Sequence, residues 1–241
     1  MTAPTIVSGY TTAVRTSNGT TLTCNVPTYT AGDTIYYFWA SDGDADSASI
    51  SGTGWTAVYT DVTLASSGVA DSGSFYGWKR TAGSEPADYT VTSGVSERSV
   101  MIAFAVANDG GIHATATNNS GTNTTAVVNS LTTTVADCLR ISIIASTGDK
   151  TVTTLSGHTL LATVSGTSAA TISVQHKALP SSGTDASVNA TMGSSYWHTF
   201  SFAIAPTSSS HSVTPNAITT GAPSVANATL TQNHLFGPTA I

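Results

Sequence analysis

Short runs of apolar and aromatic residues recur along most of the chain, about every ten to twenty residues, and no convincing helical period lies between them. Two runs are apolar at nearly every position: Thr34-Ile35-Tyr36-Tyr37-Phe38-Trp39-Ala40 and Val100-Met101-Ile102-Ala103-Phe104-Ala105-Val106. A strand wetted on one face would alternate, so these runs predict strands buried on both faces. Alternation does occur at residues 20–26, where Leu22, Cys24 and Val26 share a face before Pro27 ends the strand. Residues 55–62, 73–80 and 87–92 read as further strands, and residues 42–47 as a loop. The pattern predicts an all-β fold, an antiparallel sandwich of the double-sheet jelly-roll kind. Only 8% of residues are charged, against about 25% in an ordinary domain. Thr and Ser supply about a third of the chain, and Thr suits a pleated, half-exposed surface. With 40% hydrophobic residues, a true core can still be built.

The second half of the chain repeats the first faintly. Phe38-Trp39-Ala40-Ser41 can be laid over Ile143-Ile144-Ala145-Ser146, and Gly54-Trp55-Thr56-Ala57-Val58 over Gly157-His158-Thr159-Leu160-Leu161. Gly77-Trp78-Lys79-Arg80 falls on Val174-Gln175-His176-Lys177, and residues 97–105 on residues 197–205. Trp55 then meets His158 and Trp78 meets Gln175, so the halves share strand positions and not chemical groups. The expected organisation is an extended segment at 1–14, one sandwich at 15–206, and a linker with an extended tail at 207–241. The halves of the sandwich are placed at about 15–109 and 126–206. The polar stretch 110–125 between them reads as a linker or long surface loop.

Charge and motif content exclude several functions. Seven Lys and Arg in a chain of net charge −6 leave no basic stripe for nucleic acid. No apolar run reaches the 18 or so residues a membrane span needs. Residues 1–6 lack the charged and apolar regions of a secretory signal, so either use without export or release by some other route is expected. Cys24 and Cys138 are expected as buried free thiols. No Gly-x-Ser-x-Gly is present, the six His are not at metal-ligand spacing, and the only Glu are Glu85 and Glu97. No enzyme is expected.

Three features could carry binding. Asp42, Asp44 and Asp46 alternate in a loop, an arrangement that could gather oxygen ligands for calcium. Ser47 and Thr53, however, occupy the places where an EF-hand has Gly and Glu. The aromatics Tyr36, Tyr37, Phe38, Trp39, Trp55, Tyr59, Phe75, Tyr76, Trp78, Tyr89, Tyr196 and Trp197 either fill the core or, where exposed, offer rings for stacking on sugars. The third feature is the end of the chain. It runs from Ala217-Ile218 to Ala240-Ile241 as one unit of a short repeat, with Ile218, Val225, Leu230, Leu235 and Phe236 as its apolar anchors.

Gly54-Trp55-Thr56, then Phe75-Tyr76-Gly77-Trp78-Lys79-Arg80-Thr81-Ala82-Gly83, then Pro86-Ala87-Asp88-Tyr89-Thr90-Val91-Thr92, then an apolar strand, resembles a sandwich module of tailed-bacteriophage structural proteins. Ile218-Thr219-Thr220-Gly221-Ala222-Pro223-Ser224-Val225, with Leu230-Thr231-Gln232-Asn233-His234-Leu235, is similar to a short repeat of phage virion proteins. There the repeat often stands in tandem, whereas one copy is present here. The resemblance implies a virion component made in the host cytoplasm, most simply a capsid decoration or cement protein. It would bind the major capsid protein or other virion subunits through its termini and form a homo-oligomer, with a trimer as the expected number. A receptor- or carbohydrate-binding module of a phage tail or fibre is the alternative.

Overall fold

A computed structural model of the chain describes residues 1–43, 47–64 and 73–208. Sixteen strands and no helix lie among them, and every strand pairing is antiparallel. The first sheet contains β1 (Thr5–Asn25), β2 (Thr34–Ser41), β3 (Ala48–Ile50), β4 (Thr56–Leu64), β5 (Gly73–Thr81) and β6 (Asp88–Ala107). Its order is β1-β6-β2-β5-β4, with β3 added to β6. The second sheet contains β7 (Asp109–Thr115), β8 (Asn119–Gly121), β11 (Cys138–Thr147), β12 (Thr159–Ser165), β13 (Ala170–Leu179) and β16 (Trp197–Pro206). Its order is β12-β13-β11-β16-β7, with β8 on β16. Two short ribbons, β9 (Thr125–Val128) with β15 (Val188–Thr191) and β10 (Leu131–Thr133) with β14 (Gly183–Asp185), complete the strands.

The run 34–40 works as its pattern predicts, because its alternate residues enter two different cores. Tyr36, Phe38 and Ala40 face the second sheet, with Val100, Ile102 and Phe104 of β6 beside them. Ile141 and Ile143 of β11 and Phe200 and Phe202 of β16 close that layer from the other side. The rings of Tyr36 and Phe202 meet across it at 5.7 Å. Full burial of each such side chain contributes about 1.5–3 kcal/mol. On the outer face, Ile35, Tyr37, Trp39 and Met101 pack against Leu22, Cys24, Tyr89 and Val91. The long β1–β6 pair supplies this cover by bending back over its own sheet, and Tyr37 Oη donates to Asn25 O at 3.0 Å. The outer face of the second sheet is different. It buries Arg140, Ser142, Thr171, Ser173 and Gln175.

The described residues belong to one compact unit, Met1–Ser209. Each sheet comes from one continuous stretch, first 5–107 and then 109–206, whereas a jelly roll passes strands back and forth between its sheets. A single residue, Asn108, joins them with φ of 58°, a left-handed conformation that Asn adopts more readily than most residues. The two sheets match in strand order, β4-β5-β2-β6 against β12-β13-β11-β16. Phe38 pairs with Gly77 as Ile143 pairs with Val174. Ala57 pairs with Trp78 as Leu160 pairs with Gln175, and in both sheets a register shift follows that pair.

Some boundaries differ from expectation. The first strand starts at Thr5, so the expected lead-in segment is part of the first sheet. Stretch 110–125, expected as a linker or loop, holds most of β7 and all of β8. Both are edge strands held by backbone pairing, which needs few apolar side chains and so leaves little periodicity to read. Residues 87–92 and the apolar run from Val100, expected as separate strands, fall in the single strand β6 apart from Ala87.

Candidate functional site

Of the motif aromatics, Trp55, Tyr76, Trp78 and Tyr89 assemble on the outer face of the first sheet, while Phe75 enters the inter-sheet core. Gly52 and Gly54, both at positive φ, turn the chain into β4 and place Trp55 edge-on to Tyr89 at 4.9 Å and to Tyr37 at 5.4 Å. The Arg80 guanidinium lies 5.4 Å from the Trp55 ring centre and 5.6 Å from that of Tyr89. It donates to Thr53 O at 3.0 Å and to Tyr89 Oη at 2.8 Å, and pairs with Glu85 at 3.4 Å. Tyr89 Oη in turn donates to Glu85. Burial, then the bond to Glu85, pushes the Tyr89 phenol up to about 12. Trp55 Nε1 is satisfied by Ser51 O at 2.9 Å. Trp55, Arg80, Glu85 and Tyr89 are thus engaged with one another and with the backbone of residues 51–53, and the cluster staples that loop to the sheet.

Between the sheets, Tyr59 Oη and His198 Nε2 lie 2.6 Å apart, and Asn118 Nδ2 donates to Tyr59 Oη at 2.7 Å. Which of Tyr59 Oη and His198 Nε2 donates to the other is set by the tautomer of the ring. His198 Nδ1 is buried and has no hydrogen-bond partner among the described residues. Burial lowers the imidazole pKa to about 4 and raises the Tyr59 phenol. The ring is therefore neutral near pH 7.

The outer face of the second sheet holds an ionic network. Arg140 is fully buried and donates to Asp185 at 2.7 Å, to Asn129 O at 2.6 Å and to Ser201 Oγ at 2.8 Å. Lys177 reaches the other oxygen of Asp185 at 2.6 Å. Burial pushes Asp185 up, but the bonds and charges of Lys177 and Arg140 outweigh it and hold the carboxyl below its usual range. Beside the network, a groove of about 580 Å³ is lined by Ile6, Leu139, Thr159, His176 and Lys177 among others. Burial lowers the pKa of His176 there.

The candidate residues read from the sequence fare differently from one another. Asp42 pairs with Arg98 at 2.6 Å and accepts the Arg98 backbone N–H at 3.0 Å, so its carboxylate is committed. Asp44 and Asp46 lie outside the described residues, as do Ile218, Val225, Leu230, Leu235 and Phe236. No group of three His, Cys, Asp or Glu among the described residues is arranged to hold a metal. Of the twelve aromatics, ten are buried and Trp55 and Tyr196 are half-buried. None offers a free face comparable to that of Tyr10, which is 48% exposed. Cys24 and Cys138 are buried free thiols whose pKa burial raises. Arg140 and Asp185 were not foreseen, although an arginine inside the apolar run Cys138-Leu139-Arg140-Ile141 is itself a signal of a buried ion pair. No helix among the described residues is long and apolar enough to cross a membrane. The chain matches no family model, no curated protein and no solved structure.

Proposed function

We propose that the chain is a non-enzymatic structural protein of a tailed-bacteriophage virion, acting as a capsid decoration or cement protein. The observation that carries this reading is the ordered series from Gly54-Trp55 through Arg80 and Tyr89 to the repeat-like tail. Support comes from what those residues do in the fold: Trp55, Arg80, Glu85 and Tyr89 spend their side chains on one another. A scaffold needs a rigid body, and two cores above and below β2 provide one. Its partners are the major capsid protein or other virion subunits, and its place is the virion. The termini make the contacts, adding strand-like hydrogen bonds and the anchors Ile218, Val225, Leu230, Leu235 and Phe236 to neighbouring subunits. The test is a chain lacking residues 209–241, which keeps the Thr2–Thr207 bridge at the end of β16. It should fold as the full chain does and fail to enter particles; normal incorporation would overturn the proposal. The carbohydrate-binding alternative loses its main support, because the rings it needs are buried or half-buried.

A further inference from the structure

The large hydrophobic side chains exposed among the described residues are Met1, Tyr10, Val14 and Leu160. Tyr10 and Val14 stand on the same strand, β1, an edge strand that pairs only with β6 among the described residues. Tyr10 pairs with Phe104, Thr12 with Ile102 and Val14 with Val100. Those three β6 residues all face the inter-sheet core, so Tyr10, Thr12 and Val14 share that face at the lip of the sheet. All three are exposed.

Edge strands in soluble proteins are normally guarded by charge, proline or shortness. β1 is 21 residues long, and its sequence contains no Lys, Asp, Glu or Pro. Its single charge, Arg15, is folded back, with Nε donating to Glu97 O at 3.0 Å and Nη1 to Thr21 O. Register shifts against β6 fall between Ile6 and Tyr10 and again beyond Arg15, which leaves residues 10–15 as an unbroken ladder. This segment is a long, neutral, regular edge with apolar side chains on it.

We infer that residues 10–14 of β1 pair antiparallel with the same residues of a second copy of this chain, about a two-fold axis through Thr12. The occupant is fixed by self-complementarity. A two-fold requires that if one residue contacts a second, the second contacts the first. With Thr12 opposite its own copy, Tyr10 comes opposite the second copy's Val14, and Val14 opposite its Tyr10. The two exposed apolar side chains cover each other as an aromatic–β-branched cross-strand pair, twice per interface. Thr12 meets Thr12, a pairing the fold already uses where Thr23 meets Thr90 and Thr132 meets Thr184, each at 2.8 Å. No like charges are opposed, and the first sheet becomes continuous across both copies.

The pairing is independent of the virion role, since a monomeric sandwich could still enter particles through its tail. Analytical ultracentrifugation of the full chain over a range of concentrations should show twice the 24.4 kDa chain mass. The double variant Tyr10→Lys, Val14→Lys should halve that mass while its circular dichroism, and its unfolding midpoint at concentrations low enough to keep the parent monomeric, stay as in the parent. A Thr12→Cys variant should cross-link to a covalent dimer under mild oxidation, with the buried Cys24 and Cys138 leaving the parent chain uncross-linked. That second variant decides the matter if the lysine pair prevents folding. A monomeric or three-fold parent mass, an unchanged mass in a folded lysine variant, or no cross-link in the Thr12→Cys variant would each overturn the pairing. So would a dimer lost on removing residues 209–241 but kept in the lysine variant.

Discussion

His198 reaches from the second sheet to Tyr59 of the first, and its ring is only 6% exposed. Its pKa is about 4 in the fold and about 6.5 in an unfolded chain. Between those values the unfolded chain takes up a proton that the folded one refuses, so stability falls as the pH drops through that window. Above about pH 7 the effect vanishes, and near pH 4 it costs up to about 3 kcal/mol. Burial also lowers the pKa of His158 and His176, which act with the same sign. A His198→Gln variant isolates the share, because its amide can still hydrogen-bond to Tyr59 without titrating. Urea unfolding at about pH 7 and about pH 4.5 should show the parent losing about 2 kcal/mol more than the variant. Equal losses would mean that this imidazole is not held neutral. The buried Arg140–Asp185 pair is the costlier one to disturb. Removing one partner of a buried pair strands the other charge, typically at about 3–5 kcal/mol.

At the scale of strands, β5 and β2 fit by subtraction of a side chain. Gly77 lies opposite Phe38, and a Cβ there would come within 2.4 Å of Phe38 Cε1. The Phe38 ring is fully buried among Tyr36, Phe75 and Phe104, so it cannot swing away. Gly77→Ala should therefore lower stability by about 1–3 kcal/mol. Gly83→Ala, where a Cβ meets nothing within 4 Å, should leave the denaturation midpoint nearly unchanged. Two equal midpoints would show that the aromatic layer yields. β2 was legible in the sequence because burial on both faces erases alternation and leaves an apolar run. β7, β8 and the part of β1 before residue 20 were not, since an edge is specified by backbone pairing and can be written in Thr, Ser, Asn and Gly. Trp55 and Tyr89 stood out in the sequence, but their partner Arg80 and its link to Glu85 depend on a register no local pattern encodes. Asp42 looked like a free carboxylate for the same reason. Its cation, Arg98, sits 56 residues away on β6.

At the scale of the whole molecule, the sheets have matching strand order, yet neither can be expected to stand alone. Each has a private outer core, around Tyr37 and Trp39 in the first sheet and around Ile144 and Trp197 in the second. The inter-sheet core is the largest apolar cluster among the described residues, and both sheets contribute to it. Separating them would expose Phe38 and Phe104 on one side and Phe200 and Phe202 on the other, at about 1.5–3 kcal/mol per side chain. That loss is as large as the whole net stability of an ordinary domain, about 5–15 kcal/mol, so the sandwich should unfold in one cooperative step. The tryptophans allow a direct check, because Trp39, Trp55 and Trp78 belong to the first sheet's outer core and Trp197 to the second's. In a Trp197→Phe variant, fluorescence follows the first sheet alone while far-ultraviolet circular dichroism follows both. The two signals should share one midpoint and one slope in urea, at any protein concentration low enough to keep the chain monomeric. A first-sheet transition displaced from the dichroism curve would mean that the outer cores, and not the layer between the sheets, set the cooperative unit.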